Sequence, residues 1–161
     1  MTRNIFIANR IREVFLSGHW IANTNYEEQL LSITWEEAIR KMDGLNTIAA
    51  LTFHINYYVA GVLNVFINGK LEIRDKYSFD LPPIQSESDW KQLVDAFLHN
   101  SEAFALQVEQ MTETQLEETF VDEKYGNYLR NIEGIIEHGY YHLGQISLLK
   151  KMIVKNRSTQ N

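Results

Sequence analysis

Cysteine is absent from the 161 residues. That excludes a disulfide scaffold, a thiolate-ligated zinc site and a cysteine nucleophile. It accords with a cytoplasmic location, which is the expectation here. Proline is nearly absent, with only the adjacent Pro82 and Pro83. The remaining sequence is free of helix breakers of that kind, which favours an all-α fold. Positive charge is in deficit, with 15 Lys and Arg against 21 Asp and Glu and a net charge of −6. Such a surface repels a phosphate backbone and no basic run interrupts it, so nucleic acid is not an expected partner. The basic group Lys150, Lys151, Lys155 and Arg157 reads as cations that complement a helix C-terminus. No apolar run is seen to approach the ~18–20 residues that cross a bilayer. The opening Met1-Thr2-Arg3-Asn4-Ile5 has no signal-peptide layout. The expectation is a soluble chain with no membrane partner.

What is present suffices for a core. Hydrophobic residues make up 45% of the chain, and eight Phe, eight Tyr and three Trp argue against disorder. The length suits a single domain over 1–161, with 155–161 expected as a flexible tail. Ile5, Ile11, Val14 and Phe15 predict a first helix from Asn4 to Leu16, stopped near Gly18. His19 to Ser32 is less regular. Thr34-Trp35-Glu36-Glu37 matches a capping box and predicts a short helix to Met42. Ile48, Leu51, Ile55, Val59, Val62 and Phe66 recur at spacings of three and four, predicting a second long helix over Asn46–Asn68 that ends at Gly69. Lys70 to Asp80 alternates weakly and reads as an extended loop or a short hairpin. Ser86 or Ser88 caps a third long helix to about Gln110, carrying Trp90, Leu93, Phe97, Phe104 and Val108. Thr112 to Gln115 is a second capping box. The fourth long helix spans about Asn127 to Val154, with Leu129, Ile132, Ile135, Ile136, Leu143 and Ile146 as its stripe. Four long helices make a four-helix bundle the natural architecture.

Chemistry concentrates in that fourth helix. His138 and His142 stand at i and i+4, roughly 5–6 Å apart at Cβ on one helix face. His54, at the margin of the second helix's apolar stripe, supplies a third imidazole. Three neutral imidazoles suit one divalent ion, zinc by default, with nickel, iron or manganese as alternatives. Three protein ligands with open positions are the pattern of a catalytic rather than a structural site. The bland reading is that the three histidines are ordinary core or surface residues. Gly134, Gly139 and Gly144 each cost a helix up to about 1 kcal/mol against Ala. Gly139 lies on the apolar face, where it lets another helix come close. A zincin is excluded because Gly139, not Glu, follows His138. A ferritin-like di-iron site is excluded because Leu51, Ile135 and Gly139 stand three residues before the candidate ligands. His19, beside Trp20, is either at a pocket mouth or solvated, and His99 has no partner pattern.

The run His138-Gly-Tyr-Tyr-His142-Leu-Gly-Gln-Ile and the run Asn46-Thr-Ile-Ala-Ala-Leu-Thr-Phe-His54 resemble the DinB-like superfamily of four-helix metal-binding proteins (DinB/YfiT type). Thr47 and Ile48 depart from the Trp-Ser pair that many members carry. The resemblance implies an up-down-down-up bundle with a long connection between helices 2 and 3, commonly a homodimer. It implies a metal centre of His54, His138 and His142 that binds zinc or nickel. Members include thiol S-transferases that use bacillithiol and a mycothiol-dependent maleylpyruvate isomerase. The expected activity is therefore a metal-dependent hydrolase or thiol S-transferase type, activating a small thiol or water against a small-molecule substrate. The alternative is a non-catalytic metal-binding or stress-linked structural protein. Tyr58 and Gln145 stand near the ligands on the predicted helices and are candidates for orienting them or the cofactor, while Tyr141 points away. Phe6, Phe15, Trp20, Tyr26 and Trp35 add to the expectation of a dimer, as more aromatic surface than one core buries.

Overall fold

Side-chain caps set where the helices begin. The computed structural model describes residues 1–158, with side chains to Lys155; of the tail expected over 155–161, residues 155–158 continue the last helix and 159–161 lie outside the described residues. Seven α-helices and no strand occur among the described residues. α1 (Arg3–Arg12) continues as a π-helical turn, Glu13–Ser17, to the stop expected at Gly18. Gly18 is needed there because a Cβ would collide with Glu13. α2 (Tyr26–Leu31) is capped by Asn25, which accepts from the Glu28 amide at 3.0 Å. α3 (Trp35–Ala38) has the expected capping box between Thr34 and Glu37. It ends at Ala38 rather than Met42. One helical turn has little hold of its own, and the chain must next turn through Asp43 and Gly44 at positive φ.

α4 (Ile48–Asn68) is capped by the Thr47 hydroxyl and closed by Gly69 at φ 70°, the left-handed cap that favours glycine. Residues 70–80 form a loop with one 3₁₀ turn at Asp75–Tyr77, which settles the loop-or-hairpin alternative for the loop. Ser86, not Ser88, caps α5 (Glu87–Gln110). α6 (Glu113–Glu117) carries the second capping box, and Asn127 caps α7 (Tyr128–Ser158), accepting from the Arg130 amide at 2.9 Å.

The helical stripes meet in one core. α5 packs on α1 and α4, and α4 also packs on α7. Phe15, Tyr26 and Phe97 form a buried ring cluster with centroids 5.1–5.5 Å apart. Phe15 and Tyr26, expected as surplus aromatics, are thus fully buried, Trp35 packs against the core, and Phe6 and Trp20 are exposed. Against this cluster α7 places Gly139, where an added Cβ would stand 2.8 Å from the Phe15 ring. The Tyr26 hydroxyl donates to the Gly139 carbonyl at 3.0 Å, satisfying a buried polar group. The close approach expected of Gly139 is therefore real. Gly134 and Gly144 differ, because a Cβ at either would meet nothing within 4 Å.

One expectation needs correction. At 21 residues α4 is long and apolar enough, by length and composition, to cross a membrane. The periodic stripe hid this, because the residues between its core positions (Ala50, Phe53, Ala60, Leu63) are apolar too. Half of its most apolar stretch is buried within the protein, including Leu51, Ile55, Val59 and Val62.

Candidate metal centre

α4 and α7 bring the three histidines together. His54 is in the second turn of α4, and His138 and His142 are one turn apart on α7. His54 Nε2 lies 3.2 Å from His138 Nε2, and His142 Nε2 lies 2.9 Å from the same atom. One nitrogen from each ring falls within 4.8 Å of the others, a group that could hold a metal ion. His54 and His142 are buried and His138 half-buried.

The outward nitrogens are engaged by the protein. His142 Nδ1–H donates to Gln145 Oε1 at 2.6 Å, across one helical turn. His54 Nδ1–H donates to the Ser78 carbonyl at 3.3 Å. Each bond places the ring proton on Nδ1 and leaves the Nε2 lone pair facing inward. Burial, and then repulsion from His142 and His54, pushes His138 down to about 4. Burial and the His142 charge also lower His54, against the Ser78 bond and Asp75, and burial lowers His142 against the Gln145 bond. Near neutral pH all three rings are uncharged. Three uncharged rings with converging nitrogens hold too few protons to satisfy one another, and a cation would satisfy all three. The donor set fits a divalent metal of borderline character.

The loop after α4 builds the rest. Its residues run back along the helix that precedes them. Asn64 Nδ2 donates to the Lys70 carbonyl at 2.7 Å, and Ile73 sits where Gly61 has no side chain. The Tyr57 hydroxyl bonds both the amide and the carbonyl of Arg74, at 2.9 and 3.1 Å. The Tyr58 hydroxyl donates to Asp75 Oδ1 at 3.0 Å. Phe79 then stacks on the His54 ring at 4.0 Å and 13°. Tyr58 sits edge-on to both His54 and His138, at 5.1 and 5.2 Å.

Of the candidates, Tyr58 touches two of the rings and Gln145 bonds the third. Tyr141, expected to point away, is 65% exposed, yet its ring stands 4.8 Å edge-on from His142. Neighbours on a helix can touch by their edges even when their directions diverge. His19 is outside the group and pairs with Glu28 at 3.1 Å, and His99 is exposed. Sequence reasoning missed Asp75, Ser78 and Phe79. The only signal was the weak Tyr77/Phe79 alternation, which does not say which helix the loop lies on.

The chain matches no protein-family model, no curated protein and no solved structure.

Proposed function

We propose that this chain is a divalent-metal-binding four-helix bundle of the DinB-like type, with His54, His138 and His142 holding zinc, or alternatively nickel. We read it as a metal-dependent enzyme of the hydrolase or thiol S-transferase type, cytoplasmic and acting on small molecules. The single observation that carries the reading is the meeting of three Nε2 atoms while two of the Nδ1 atoms are fixed on Gln145 and Ser78. A bound divalent ion would supply Lewis acidity that lowers the pKa of an adjacent thiol or water. The chain has no cysteine, so a low-molecular-weight thiol such as bacillithiol would bring the sulfur. The chain's own residues orient the site. Gln145 and Ser78 fix two rings, Phe79 shields one face of His54 from water, and Asp75 holds the Tyr58 hydroxyl beside the rings.

Several contacts support the up-down-down-up arrangement. Asn56 with Asn100 and Phe66 with Phe104 advance together along α4 and α5, as parallel neighbours do. His54 with His138 and Phe66 with Tyr128 run oppositely along α4 and α7. Asn4 with Glu109 and Arg12 with Glu102 do the same for α1 and α5. The residues linking α4 and α5 form the long connection. We read α4 as a core helix rather than a membrane span, because its stripe faces α5 and α7.

The alternative of a non-catalytic, closed metal site calls for a fourth protein ligand. Among the described residues none joins the three histidines, and that favours open positions for a thiol or water. The test is metal content by mass spectrometry on tag-free protein beside His142→Ala. About one ion per chain, lost in the variant, is expected for a site of this kind. No metal after reconstitution with zinc or nickel sinks the reading. Absence of metal-dependent turnover of electrophiles with any small thiol retires its catalytic part alone.

A further inference from the structure

We infer that the cleft between α7 and the turn preceding α4 is a second binding site, for a small molecule with an aliphatic chain and an uncharged acyl carbonyl, and that its occupant tightens the metal centre through Gln145. The site itself needs no metal, whereas the coupling rests on the metal reading above.

The cleft encloses about 370 Å³, within the ~300–1,000 Å³ of small-molecule sites. It lies one helical turn beyond the histidines on both helices. Leu51 stands three residues before His54 on α4, and Gln145 stands three after His142 on α7. His54 with His138 and Phe66 with Tyr128 run oppositely along the two helices, so both steps point the same way. Each is about 5 Å along the axis. Buried Leu51 and Leu149 line the cleft, and so do Leu45 and Leu148, which are exposed. An aliphatic chain laid between them would take the two exposed leucines out of water.

Two primary amides, Gln145 and Asn46, supply the polar lining. Gln145 is the more informative. A His142 ring that turns Nε2 inward keeps its proton on Nδ1, so the Gln145 atom facing it must be Oε1. The Gln145 amide nitrogen then keeps two N–H donors, and they have no acceptor among the described residues. The Asn46 side chain, exposed at the cleft, has no hydrogen-bond partner there either. The cleft therefore calls for an acceptor. None of its described lining residues is acidic or basic, so nothing in it neutralises a full charge. An uncharged carbonyl meets both conditions better than a carboxylate, and an ammonium meets neither.

Gln145 reaches His142 from the Nδ1 side, away from the nitrogen that joins the other histidines. The cleft is thus separate from the open positions of the metal centre, and one amide serves both. A carbonyl on the Gln145 amide nitrogen fixes the side chain as His142 needs it. An ion on His142 Nε2 fixes the tautomer that needs Gln145 Oε1. Each ligand orders a side chain that the other uses, and the effect is reciprocal. A single shared side chain places the coupling at about fivefold, the low end for such effects.

Isothermal titration calorimetry on the full chain, metal-free and zinc-loaded, tests this with octanamide, octanoate and octylamine. Octanamide should bind the metal-free chain with a Kd of about 1 mM or tighter, octanoate more weakly and octylamine not measurably. Zinc should tighten octanamide about fivefold, and octanamide should tighten zinc by the same factor. Gln145→Glu separates the two roles, because its carboxylate still accepts from His142 Nδ1 but donates nothing. It should keep zinc and weaken octanamide by at least about tenfold. Leu148→Asp, at an exposed position, should weaken octanamide and leave zinc affinity unchanged, with circular dichroism checking that the helices persist. No octanamide binding, octylamine binding as well as octanamide, or octanamide indifferent to both substitutions overturns the site. Octanamide and zinc that bind without affecting each other overturn the coupling. A chain that binds octanamide but takes up no zinc supports the site and sinks the metal reading together with the coupling.

Discussion

At the scale of single residues, the same chemical type does opposite things at different places. Gly139 admits Phe15, whereas Gly134 borders open space. Gly139→Ala should therefore destabilise by about 1–3 kcal/mol through overpacking. Gly134→Ala should instead stabilise by up to about 1 kcal/mol through helix propensity. Urea denaturation of both variants decides it, and equal effects would contradict the packing described. The sequence could place Gly139 on the apolar face, but not distinguish it from glycines that merely cost the helix stability. Gln145 is expected to matter for affinity, because it fixes the His142 ring. Gln145→Ala should weaken zinc binding by about 10–100-fold, read by competition with a chromophoric chelator. Unchanged affinity would show that the 2.6 Å bond orients nothing. The histidines also set a pH dependence. Their folded pKa values lie below the unfolded value, His138 at about 4. The unfolded chain thus takes up protons first as pH falls. Metal-free stability should be constant above pH 6.5 and decline between 6.5 and about 4. The triple histidine-to-alanine variant should lose that decline in denaturation curves across the window.

At the scale of elements, the loop after α4 decides how much of the site could be read in advance. The helix caps at Thr34, Ser86 and Thr112 were legible because each needs only a local partner three residues away. The pairing of His138 with His142 was legible from helical period, and His54 from its place beside an apolar stripe. Ser78, Phe79 and Asp75 were not, because their partners lie on a preceding helix and no period links a loop to it. Yet the loop follows a rule after the fact. Gly61 makes the hollow for Ile73, and Tyr57 and Tyr58 fix the residues that follow. Gly61→Leu should expel Ile73, make residues 70–80 easier to cleave with protease, and lower metal affinity by loosening Ser78 from His54. Native cleavage rates in that variant would show that the loop is held by other means.

At the scale of the whole molecule, a metal that binds only the folded chain adds to its stability by mass action. At one hundred times its dissociation constant, the ion should contribute about 2.7 kcal/mol. For a chain of this length that is a rise in Tm of roughly 5–11 °C, reversed by a chelator. Thermal melts with zinc, nickel and calcium check this, and a shift common to all three would point to a nonspecific effect. The core that permits this was the most legible part of the sequence. Most residues of the predicted stripes are buried, with Leu93 and Phe66 at the margin and Ile5 exposed. The apolarity of α4 was misjudged, though not its length, because counting the stripe ignored the equally apolar residues between.

His54 and His138 are 84 residues apart in the chain. At roughly 5–20 residues per second of synthesis, His54 is made about 4–17 s before its first partner on α7. During that interval it is a lone imidazole on a helix that lacks one of its packing neighbours. The site is therefore completed only once α7 has been made, and an ion can be taken up only by a polypeptide that already carries both α4 and α7.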